Sequence, residues 1–592
     1  MHAIRLRHLL AGIAAITAIS AAPAAAQWPG EASAVPDRSC DRDCLLGMLG
    51  DHMEALATRT PSRLPVAPNL LFTENNVPLQ LGEGVWGTVT AVDEVGLEVA
   101  DPETGNAAWF GSVRENGEPA IYSVRIRVRD GRIDEIESVI HRRTGLPAPF
   151  GDVENMAHDP AFYEILPEEQ QRPRERLRAI ADSYFNTTEL NDGQVLAPFD
   201  EDCARLENAI STTSAPQDGS GGGNAAAIAQ GCEEQFELGI YRINKRIRER
   251  LYPIIDTERG VVVASGFFDH ANEFDRYLLT DGREMRTALK WPNSITLLEA
   301  FRIRDAKIHR IEAVFTYVPY FMHNPFAGPG PELPDHPPAP ELCDAGCLAA
   351  NARQVMAAYV ENDWQSINWA DRVGYAENSV GIRVSEGIWA TVTAIDSQPL
   401  VVADGQTGKA VWIGRIEEHG QPAWAAITVT GAGEAVGGID ALIRRSEYGA
   451  PFAEPDGATQ YAPLPAASRA GRAEMLASAD RFYAAFNGNR QDAGKFAAGC
   501  NWRVNGADIG SCTQALTGDL LSQVAQIRDR SLLAVDEERG LAVFRAFQDL
   551  PARGSGYPLT YQVTELLRFE GGEITAIETW NSELPYGMKP HG

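Results

Sequence analysis

The sequence repeats itself at long range. Six positions recur 303 residues further along without a gap: Cys40, Cys44, Glu74, Asn75, Trp86 and Trp109 recur as Cys343, Cys347, Glu377, Asn378, Trp389 and Trp412. A gapless register of this length indicates a duplicated unit, so the two copies can be compared as two aligned sequences. We expect residues kept in both copies to be structural. Residues kept in only one copy are candidates for chemistry.

The length and the N-terminus constrain the class of protein. With 592 residues the chain is too long for one hydrophobic core, and about four domains are expected. Arg5 and Arg7 precede an apolar run, and small residues follow up to Ala26, as in a secretory signal peptide. We expect cleavage after Ala26 and a periplasmic or secreted location. The alternative is an uncleaved membrane anchor, for which the run is short.

The charge of the chain limits its partners. The formal net charge is −29, and loss of Arg5 and Arg7 with the signal would leave it at −31. A chain this acidic repels nucleic acid and anionic lipid. We therefore expect a small-molecule ligand, no nucleic-acid partner and no membrane insertion after signal cleavage.

The eight cysteines divide evenly between the copies. In an exported protein, an even number of cysteines at repeated positions indicates disulfides. The expected pairs are Cys40–Cys44, Cys203–Cys232, Cys343–Cys347 and Cys500–Cys512. The alternative is a zinc site, but each copy has one CxxxC and lacks the second close-spaced ligand pair that zinc sites use. We predict no metal and no cofactor.

Each copy contains two different units. The predicted segments are a signal peptide (1–26), the first leading unit (40–145), the first trailing unit (172–324), a proline-rich linker (325–340), the second leading unit (343–448) and the second trailing unit (468–588). Helices are predicted from the apolar spacing at 45–56 and 174–185, and strands at 260–269, 295–303 and 308–318. Asp130-Gly131 indicates a hairpin turn. The offset between the trailing units falls from 297 to 280 around a glycine-rich surface loop at 217–223.

Two segments resemble a known family. The segment 299–312, which reads EAFRIRDAKIHRIE, resembles the closing hairpin of NTF2-like (SnoaL-like, cystatin-like cone) domains. The segments 72–75 and 84–87 are also similar to bacterial SnoaL-like proteins. The resemblance implies an α+β fold with four NTF2-like cone domains, in which N-terminal helices pack on a curved antiparallel sheet around a pocket. Members of the family include isomerases, dehydratases, cyclases, epoxide hydrolases and plain binding modules.

Glu299 is a candidate catalytic residue. Strand alternation places it on the same side as Leu297 and Phe301, the side expected to face the core. A carboxylate there is either a hydrogen-bonded structural group or a desolvated group with a raised pKa that is suited to proton transfer. The second copy keeps it as Glu565, which favours structure.

His270 is a second candidate because the second copy has lost it. A histidine at a strand end suits a general base near neutral pH, and the alternative is a hydrogen-bonded structural histidine. Asp269, which the second copy keeps as Asp549, is a candidate for contacting substrate. Adjacent strand residues face opposite sides, so we do not expect Asp269 to orient His270.

Three further losses separate the copies. Tyr184 aligns with Phe482, while Arg205 and Glu207 align with Trp502 and Val504. A polar cluster that is apolar in the other copy suggests an active first copy and a scaffolding second copy, although neutral drift explains the pattern too. In the active copy, Tyr184 and Arg205 would polarise the substrate, and Arg205 would bind a carboxylate or enolate oxygen.

Glu74 and Asn75 have two interpretations. They could line a pocket mouth and bind substrate, with Glu74 as acid or base and Asn75 as donor. They could equally cap a turn, which asparagine does well.

The leading hypothesis is an exported, cofactor-free lyase or isomerase that uses acid/base chemistry on a small apolar or polycyclic molecule. His270 or Glu299 would abstract the proton. The chain has no GxSxG motif, no Rossmann fingerprint and no cysteine left for nucleophilic work. The alternative is a non-catalytic periplasmic protein that binds a ligand or assembles a partner. We expect a monomer, because four units in one chain can pair internally.

Overall fold

The computed structural model describes residues 40–143, 149–214, 229–287, 290–328, 343–445, 461–488, 495–552 and 556–591. The predicted signal peptide, the glycine-rich loop and most of the predicted linker lie outside these residues. Within the described ranges, no helix is long and apolar enough to cross a membrane.

The helices of the described residues range from four to 17 residues. Helices α1 to α8 are Arg42–Ala57, Val85–Thr88, Arg174–Leu190, Cys232–Leu238, Ala345–Glu361, Arg472–Phe486, Cys512–Thr517 and Asp519–Ser522. The predicted helices at 45–56 and 174–185 therefore correspond to α1 and α3. Asp41 begins α1, and its side chain accepts a hydrogen bond from the amide of Cys44, which satisfies one of the free donors at the helix start.

The strands of the first copy form two large sheets and one small hairpin. Strands β1 to β7 are Val66–Glu74, Val77–Leu79, Val89–Val92, Leu97–Asp101, Asn106–Glu115, Glu118–Arg129 and Arg132–Arg142. Strands β8 to β15 are Phe199–Glu207, Ile210–Ser211, Arg246–Asp256, Val261–His270, Arg276–Leu278, Glu284–Arg286, Asn293–Arg304 and Lys307–Val318. The sheet orders are β2-β1-β7-β6-β5-β3, with β4 also on β5, and β10-β11-β14-β15-β8-β9, and β12 pairs with β13 alone.

The second copy repeats both large sheets. Strands β16 to β22 are Trp369–Glu377, Val380–Gly381, Val392–Ile395, Leu400–Asp404, Lys409–Glu418, Gln421–Ala432 and Ala435–Arg445. Strands β23 to β28 are Phe496–Val504, Ala507–Ser511, Gln526–Asp536, Leu541–Leu550, Leu559–Glu570 and Glu573–Pro585. The architecture is α+β, with separate sheets of six or seven strands in repeated units.

The sheets are not purely antiparallel, which corrects one detail of the expectation. In each unit the first long strand runs parallel to the last one: β1 beside β7, β8 beside β15, β16 beside β22 and β23 beside β28. Parallel strands need a long connection, and here the intervening strands provide it. The hairpin predicted at Asp130-Gly131 is present between β6 and β7, with φ of 50° and 69° at the two residues.

Each trailing sheet has two covered faces. In the first trailing unit, α3 packs on one face, called here the inner face, through an apolar cluster that includes Phe185, Ala264 and Phe301. The outer face packs against the sheet of the leading unit through residues such as Phe110, Val263 and Leu298. The second copy has the same sheet-to-sheet contact, with Val411, Val543 and Leu566 among its residues.

The four units also contact one another in a closed ring. Glu386 of the second leading unit accepts hydrogen bonds from Tyr320 and Arg246 of the first trailing unit. On the opposite side, Asn116 of the first leading unit donates to the carbonyl oxygen of Gly556 in the second trailing unit, at 2.9 Å. The units therefore contact one another in the order first leading, first trailing, second leading, second trailing, and the last contacts the first.

All four predicted disulfides are present: Cys40–Cys44, Cys203–Cys232, Cys343–Cys347 and Cys500–Cys512. The Cys203–Cys232 disulfide joins the start of α4 to β8, which carries Arg205. It therefore fixes two elements of the candidate site against each other.

Candidate functional site

A buried polar cluster lies on the inner face of the first trailing sheet. Glu299 in β14, Tyr184 in α3 and Arg205 in β8 are each 2% exposed. The Nη1 atom of Arg205 donates to the Tyr184 hydroxyl at 3.4 Å and lies 3.9 Å from the carboxylate of Glu207. The structure thus brings together four of the residues that the sequence singled out: Glu299, Tyr184, Arg205 and Glu207.

Two residues that the sequence analysis missed complete this cluster. The Nη2 atom of Arg205 donates to the Oε1 atom of Gln235 and to the hydroxyl of Tyr241. The Tyr241 hydroxyl also donates to Gln235 at 2.9 Å. Both residues follow Cys232, which the offset of 280 aligns with Cys512. Their counterparts Ala515 and Leu521 are apolar, a signal that the sequence contained.

The cluster contains two buried polar atoms without a hydrogen-bond partner among the described residues, the Oε2 atom of Glu299 and the Nε atom of Arg205. A buried polar atom of this kind costs free energy. Such a cost is expected where the missing partner is a ligand or a reacting group.

The ionisation of the cluster follows from burial. Burial raises the pKa of Glu299 well above its usual range, and the negative charge of Glu207 adds to the effect against the opposing charge of Arg205. Burial also raises the pKa of Tyr184 well above 10 and that of Tyr241 to about 12. Burial therefore favours the protonated form of this carboxyl compared with an exposed glutamate, and the two tyrosines keep their protons near neutral pH.

The second copy has lost this cluster but kept the glutamate. Five residues around Glu299 have apolar counterparts: Tyr184, Arg205, Glu207, Gln235 and Tyr241 correspond to Phe482, Trp502, Val504, Ala515 and Leu521. Trp502 is fully buried there. The second trailing unit thus has an apolar core where the first has polar groups.

The partners of the second glutamate differ accordingly. Glu565 accepts hydrogen bonds from the Tyr483 hydroxyl at 2.6 Å and from the Thr579 hydroxyl at 3.0 Å. In the first copy these positions are Phe185 and Ala313, which cannot donate from their side chains. Glu565 is therefore satisfied by its own unit, whereas Glu299 is not.

His270 is not part of the cluster. It lies on the same face as Glu299, but β11 pairs Ala264 with Glu299 and His270 with Asn293. Six strand residues correspond to about 20 Å. Its ring nitrogens lie 3.1 Å from Asn293 Oδ1 and 2.8 Å from Asn244 Oδ1.

Burial lowers the pKa of His270 to about 4, so the imidazole is neutral near pH 7. The two alternative bases that the sequence suggested, His270 and Glu299, therefore lie apart in the structure and differ in their surroundings. Leu550, Leu559 and Val524 replace His270 and its two amide partners in the second copy, so this polar group is also specific to the first copy.

Asp269 lies on the opposite face of the sheet, as strand alternation requires. It is fully buried, and Arg248 and Ser294 donate to its carboxylate at 2.8 and 2.6 Å. Asp549 makes the equivalent contacts with Arg528 and Thr560. Its position away from Glu299 and its repetition in both copies fit a structural ion pair better than a substrate contact.

Glu74 and Asn75 are in the first leading unit and outside the cluster. Glu74 accepts from the Val85 amide and from Arg142, each at 2.7 Å. Asn75 has a φ of 48° and exchanges two hydrogen bonds with the backbone of Ile140. These contacts correspond to the turn-capping interpretation, and the second copy repeats the Asn75 contacts through Asn378 and Ile443.

No group of three or more His, Cys, Asp and Glu side chains in the described ranges is arranged to hold a metal ion.

A family model described as "Domain of unknown function (DUF8021)" matches residues 170–315 and again 468–580, the two trailing units. No curated protein sequence matches the chain. The crystal structure of AclR from Streptomyces galilaeus, described as a candidate hydroxylase, matches 19% of this chain and 90% of its own, with 18% identity and a TM-score of 0.16. That TM-score is too low for AclR to inform the function.

Proposed function

We propose that this protein is an exported, cofactor-free lyase or isomerase that uses acid/base chemistry on a small apolar or polycyclic molecule in the first trailing unit. The observation that carries the proposal is the asymmetry between the copies. In one copy the Oε2 atom of Glu299 and the Nε atom of the neighbouring Arg205 lack partners among the described residues, whereas in the other copy both oxygens of Glu565 accept hydrogen bonds within an apolar core.

We also propose a finer description of the fold of the four units. Each unit is taken as an NTF2-like cone domain, with bounds 40–145, 172–324, 343–448 and 468–588. The arrangement of a helix, a sheet and a long closing hairpin in each unit supports this description. In such a domain, a ligand would sit between the helix and the inner face of the sheet.

The proposed chemistry is a proton transfer next to a polarised oxygen. Arg205 and Tyr184 would donate hydrogen bonds to a carbonyl oxygen of the substrate and stabilise the charge that develops on it. Glu299 would carry the proton between two positions of the substrate. As a carboxylate of raised pKa, it would take the proton from the carbon beside the carbonyl, leaving the enolate that Arg205 and Tyr184 stabilise, and would then return the proton at a second position of the substrate.

The apolar character of the ligand is inferred from the same sheet face. The residues between Glu299 and His270 are Leu297, Ile295 and Phe268, and Phe315 and Tyr317 pair with this face on β15. Phe268, Phe315 and Tyr317 are only partly buried within the protein. Their remaining surface suits contact with an apolar molecule.

Matched substitutions in the two copies test the proposal. The mature protein, Glu299→Gln, Tyr184→Phe and the control Glu565→Gln would be screened against hydrophobic ketones and polycyclic compounds by thermal shift, with product analysis by mass spectrometry. Conversion by wild type and by Glu565→Gln, with binding but no conversion by Glu299→Gln, would support the enzyme. Equal conversion by Glu299→Gln and wild type would overturn it.

The alternative is a ligand-binding or assembly protein without catalysis. The closure of the cluster favours it, because Glu299, Tyr184 and Arg205 are almost fully covered. A compound that stabilises wild type, and that every variant returns unchanged, would identify this alternative.

A further inference from the structure

A cavity of about 160 Å³, called here the central cavity, lies where the four units meet. Each unit contributes to its wall, for example through His141, Tyr317, Asn378 and Pro558. Asn293 in this wall lies six residues from Glu299 on the same strand, so the central cavity is about 20 Å from the polar cluster. It is therefore a feature of the assembled ring and is distinct from the proposed acid/base site.

The two arginines of the wall are paired within the protein. Arg142 donates to Glu74 at 2.7 Å and to Glu115 at 2.7 and 3.0 Å. Arg445 donates to Glu418 at 2.7 and 3.0 Å. Neither guanidinium therefore provides an uncompensated positive charge for an anion.

The two carboxyl groups of the wall are engaged as well. Glu377 accepts hydrogen bonds from the Tyr375 hydroxyl and the Ile388 amide, and burial raises its pKa to about 7. Glu583 accepts a hydrogen bond from the Tyr557 hydroxyl at 3.2 Å. An ion that entered the central cavity would lose its hydration without meeting an unpaired charge among the described residues of the wall. The wall therefore favours an uncharged ligand.

Most of the remaining wall is apolar. It includes aromatic rings and prolines, among them Trp291, Tyr317, Pro292, Pro319, Pro558 and Pro585. These side chains are flat and have little conformational freedom, so they suit contact with the faces of an aromatic ring.

The volume of the central cavity indicates the size of the ligand. A dry cavity of about 150 Å³ lined by apolar side chains binds benzene, and the central cavity is about 160 Å³. One aromatic ring with small substituents therefore fits. This size favours a molecule of one ring over the polycyclic molecules considered for the first trailing unit.

Two polar groups of the wall lack an ordinary hydrogen bond within the described structure. His141 is 3% exposed, and its Nε2 atom makes no hydrogen bond of ordinary geometry with a described residue. The Tyr317 hydroxyl makes none with a described residue, and burial alone raises its pKa to about 12. Burial lowers the pKa of His141 to about 4, so its neutral ring has one donor and one acceptor. A ligand hydroxyl, which both donates and accepts, suits these two groups.

We propose that the central cavity is a binding site for a small uncharged phenol of one ring. The ring of the ligand packs against the aromatic side chains and prolines, and its hydroxyl forms hydrogen bonds with His141 and Tyr317. This site is separate from the proposed acid/base site and does not depend on it.

The probes p-cresol and p-xylene have the same shape and differ by a hydroxyl in place of a methyl group. Calorimetry of the whole mature protein near neutral pH should show p-cresol binding at least about fivefold more tightly than p-xylene. A purely apolar cavity would give the opposite order, because p-xylene is the more apolar molecule. The ions p-toluate and benzylammonium should bind more weakly than p-cresol.

Two variants test the role of the polar groups. Tyr317→Phe keeps the ring, and His141→Leu removes the unpaired nitrogen. Each should weaken p-cresol about fivefold and leave p-xylene unchanged. Tyr163→Phe, which removes a hydroxyl elsewhere on the protein, and Glu299→Gln should leave both affinities unchanged.

Three results would overturn the proposal. The first is binding of p-xylene as tight as that of p-cresol, or tighter. The second is unaltered p-cresol binding in both Tyr317→Phe and His141→Leu. The third is the absence of p-cresol binding at millimolar concentration. Because every readout is binding, none of these results depends on whether Glu299 is catalytic.

Discussion

At the residue scale, one glutamate position shows how a duplicated unit can divide its roles. Glu565 lies in a core that supplies two hydroxyl donors, so the burial of its carboxyl is compensated. Glu299 occupies the same position without either donor, beside a buried guanidinium. The first copy therefore carries a cost in stability that the second avoids, which is common where function requires an unsatisfied group.

This difference predicts opposite effects of one substitution. Glu565→Gln keeps one accepting oxygen and replaces the other with an NH2 group, so the side chain can no longer accept from both Tyr483 and Thr579, and the second trailing unit should be destabilised by about 1–2 kcal/mol. Glu299→Gln removes no protein hydrogen bond at Oε2 and should be neutral or stabilising. Chemical unfolding followed by hydrogen exchange would assign each change to its unit. Equal destabilisation by both substitutions would contradict the functional interpretation of Glu299.

Glu377 gives a prediction for pH. Burial raises its pKa to about 7, above the unfolded value of about 4.3. The folded state therefore retains a proton that the unfolded state loses, so the stabilisation is complete below about pH 4.3 and is lost as pH rises to about 7, by up to about 1.4 kcal/mol per pH unit.

Glu377→Gln keeps the Oε1 acceptor that Ile388 and Tyr375 use and removes the titration. Its midpoint of thermal unfolding should rise relative to wild type between pH 4.5 and 7, whereas Glu573→Gln should run parallel to wild type. A constant difference for Glu377→Gln across this range would show that the carboxyl does not titrate there.

The sequence predicted some site residues well and others not. Alternation placed Glu299 on the core-facing side, and comparison of the copies identified Tyr184 and Arg205. Gln235 and Tyr241 follow the glycine-rich loop at which the offset changes, so their apolar counterparts Ala515 and Leu521 become evident only once Cys232 is aligned with Cys512. The separation of His270 from Glu299 could not be predicted, because the sequence does not give the register of the paired strands and therefore does not give the distance between the two residues.

At the element scale, α4 has a counterpart in the second copy, α7, but α4 and the segment after it carry polar residues that the second copy lacks. Helix α4 carries Gln235 and is followed by Tyr241, and the hairpin β12–β13 packs nearby, with Tyr277 donating to the carbonyl of Ile240. The connection containing this hairpin is 14 residues longer than its counterpart in the second copy. This insertion of the first copy therefore lies beside the polar cluster. Helices, hairpins and disulfides were predictable from local patterns, whereas the parallel pairing of β8 with β15 depends on contacts distant in sequence.

The Cys203–Cys232 disulfide should matter for both stability and ligand binding. It closes a separation of 29 residues, and the loss of such a cross-link costs about 3–4 kcal/mol in the chain-entropy model. Replacing both cysteines with alanine should increase hydrogen exchange in 232–241 and abolish ligand binding in the first trailing unit. The matched removal of Cys500–Cys512, with a separation of 12, should destabilise its own unit but leave ligand binding intact. Retention of binding without Cys203–Cys232 would show that α4 is held by its packing alone.

At the scale of the whole molecule, the ring explains why four units occur in one chain. Each trailing sheet covers its outer face with the leading sheet of its own copy. One apolar cluster then joins the copies, including Val77, Tyr320, Ile382 and Leu584. The duplication was evident from sequence, but the exchange of partners between copies was not, because it depends on surfaces formed only after each unit folds.

The ring predicts that the two copies stay together without their covalent connection. A protease site inserted within residues 329–342 would allow the chain to be cut after folding. Because the shared apolar cluster and the contacts on both sides of the ring remain, the cut protein should keep the mass of one chain in light scattering, which is also the mass expected for the uncut monomer.

Glu386→Ala, which removes the partner of Arg246 and Tyr320, should weaken the association of the cut halves about tenfold or more, whereas the surface control Glu417→Ala should not. Separation of the wild-type halves at their individual masses would show that the linker, and not the interface, closes the ring, and a dominant dimer of the uncut chain would show that internal pairing does not satisfy these surfaces.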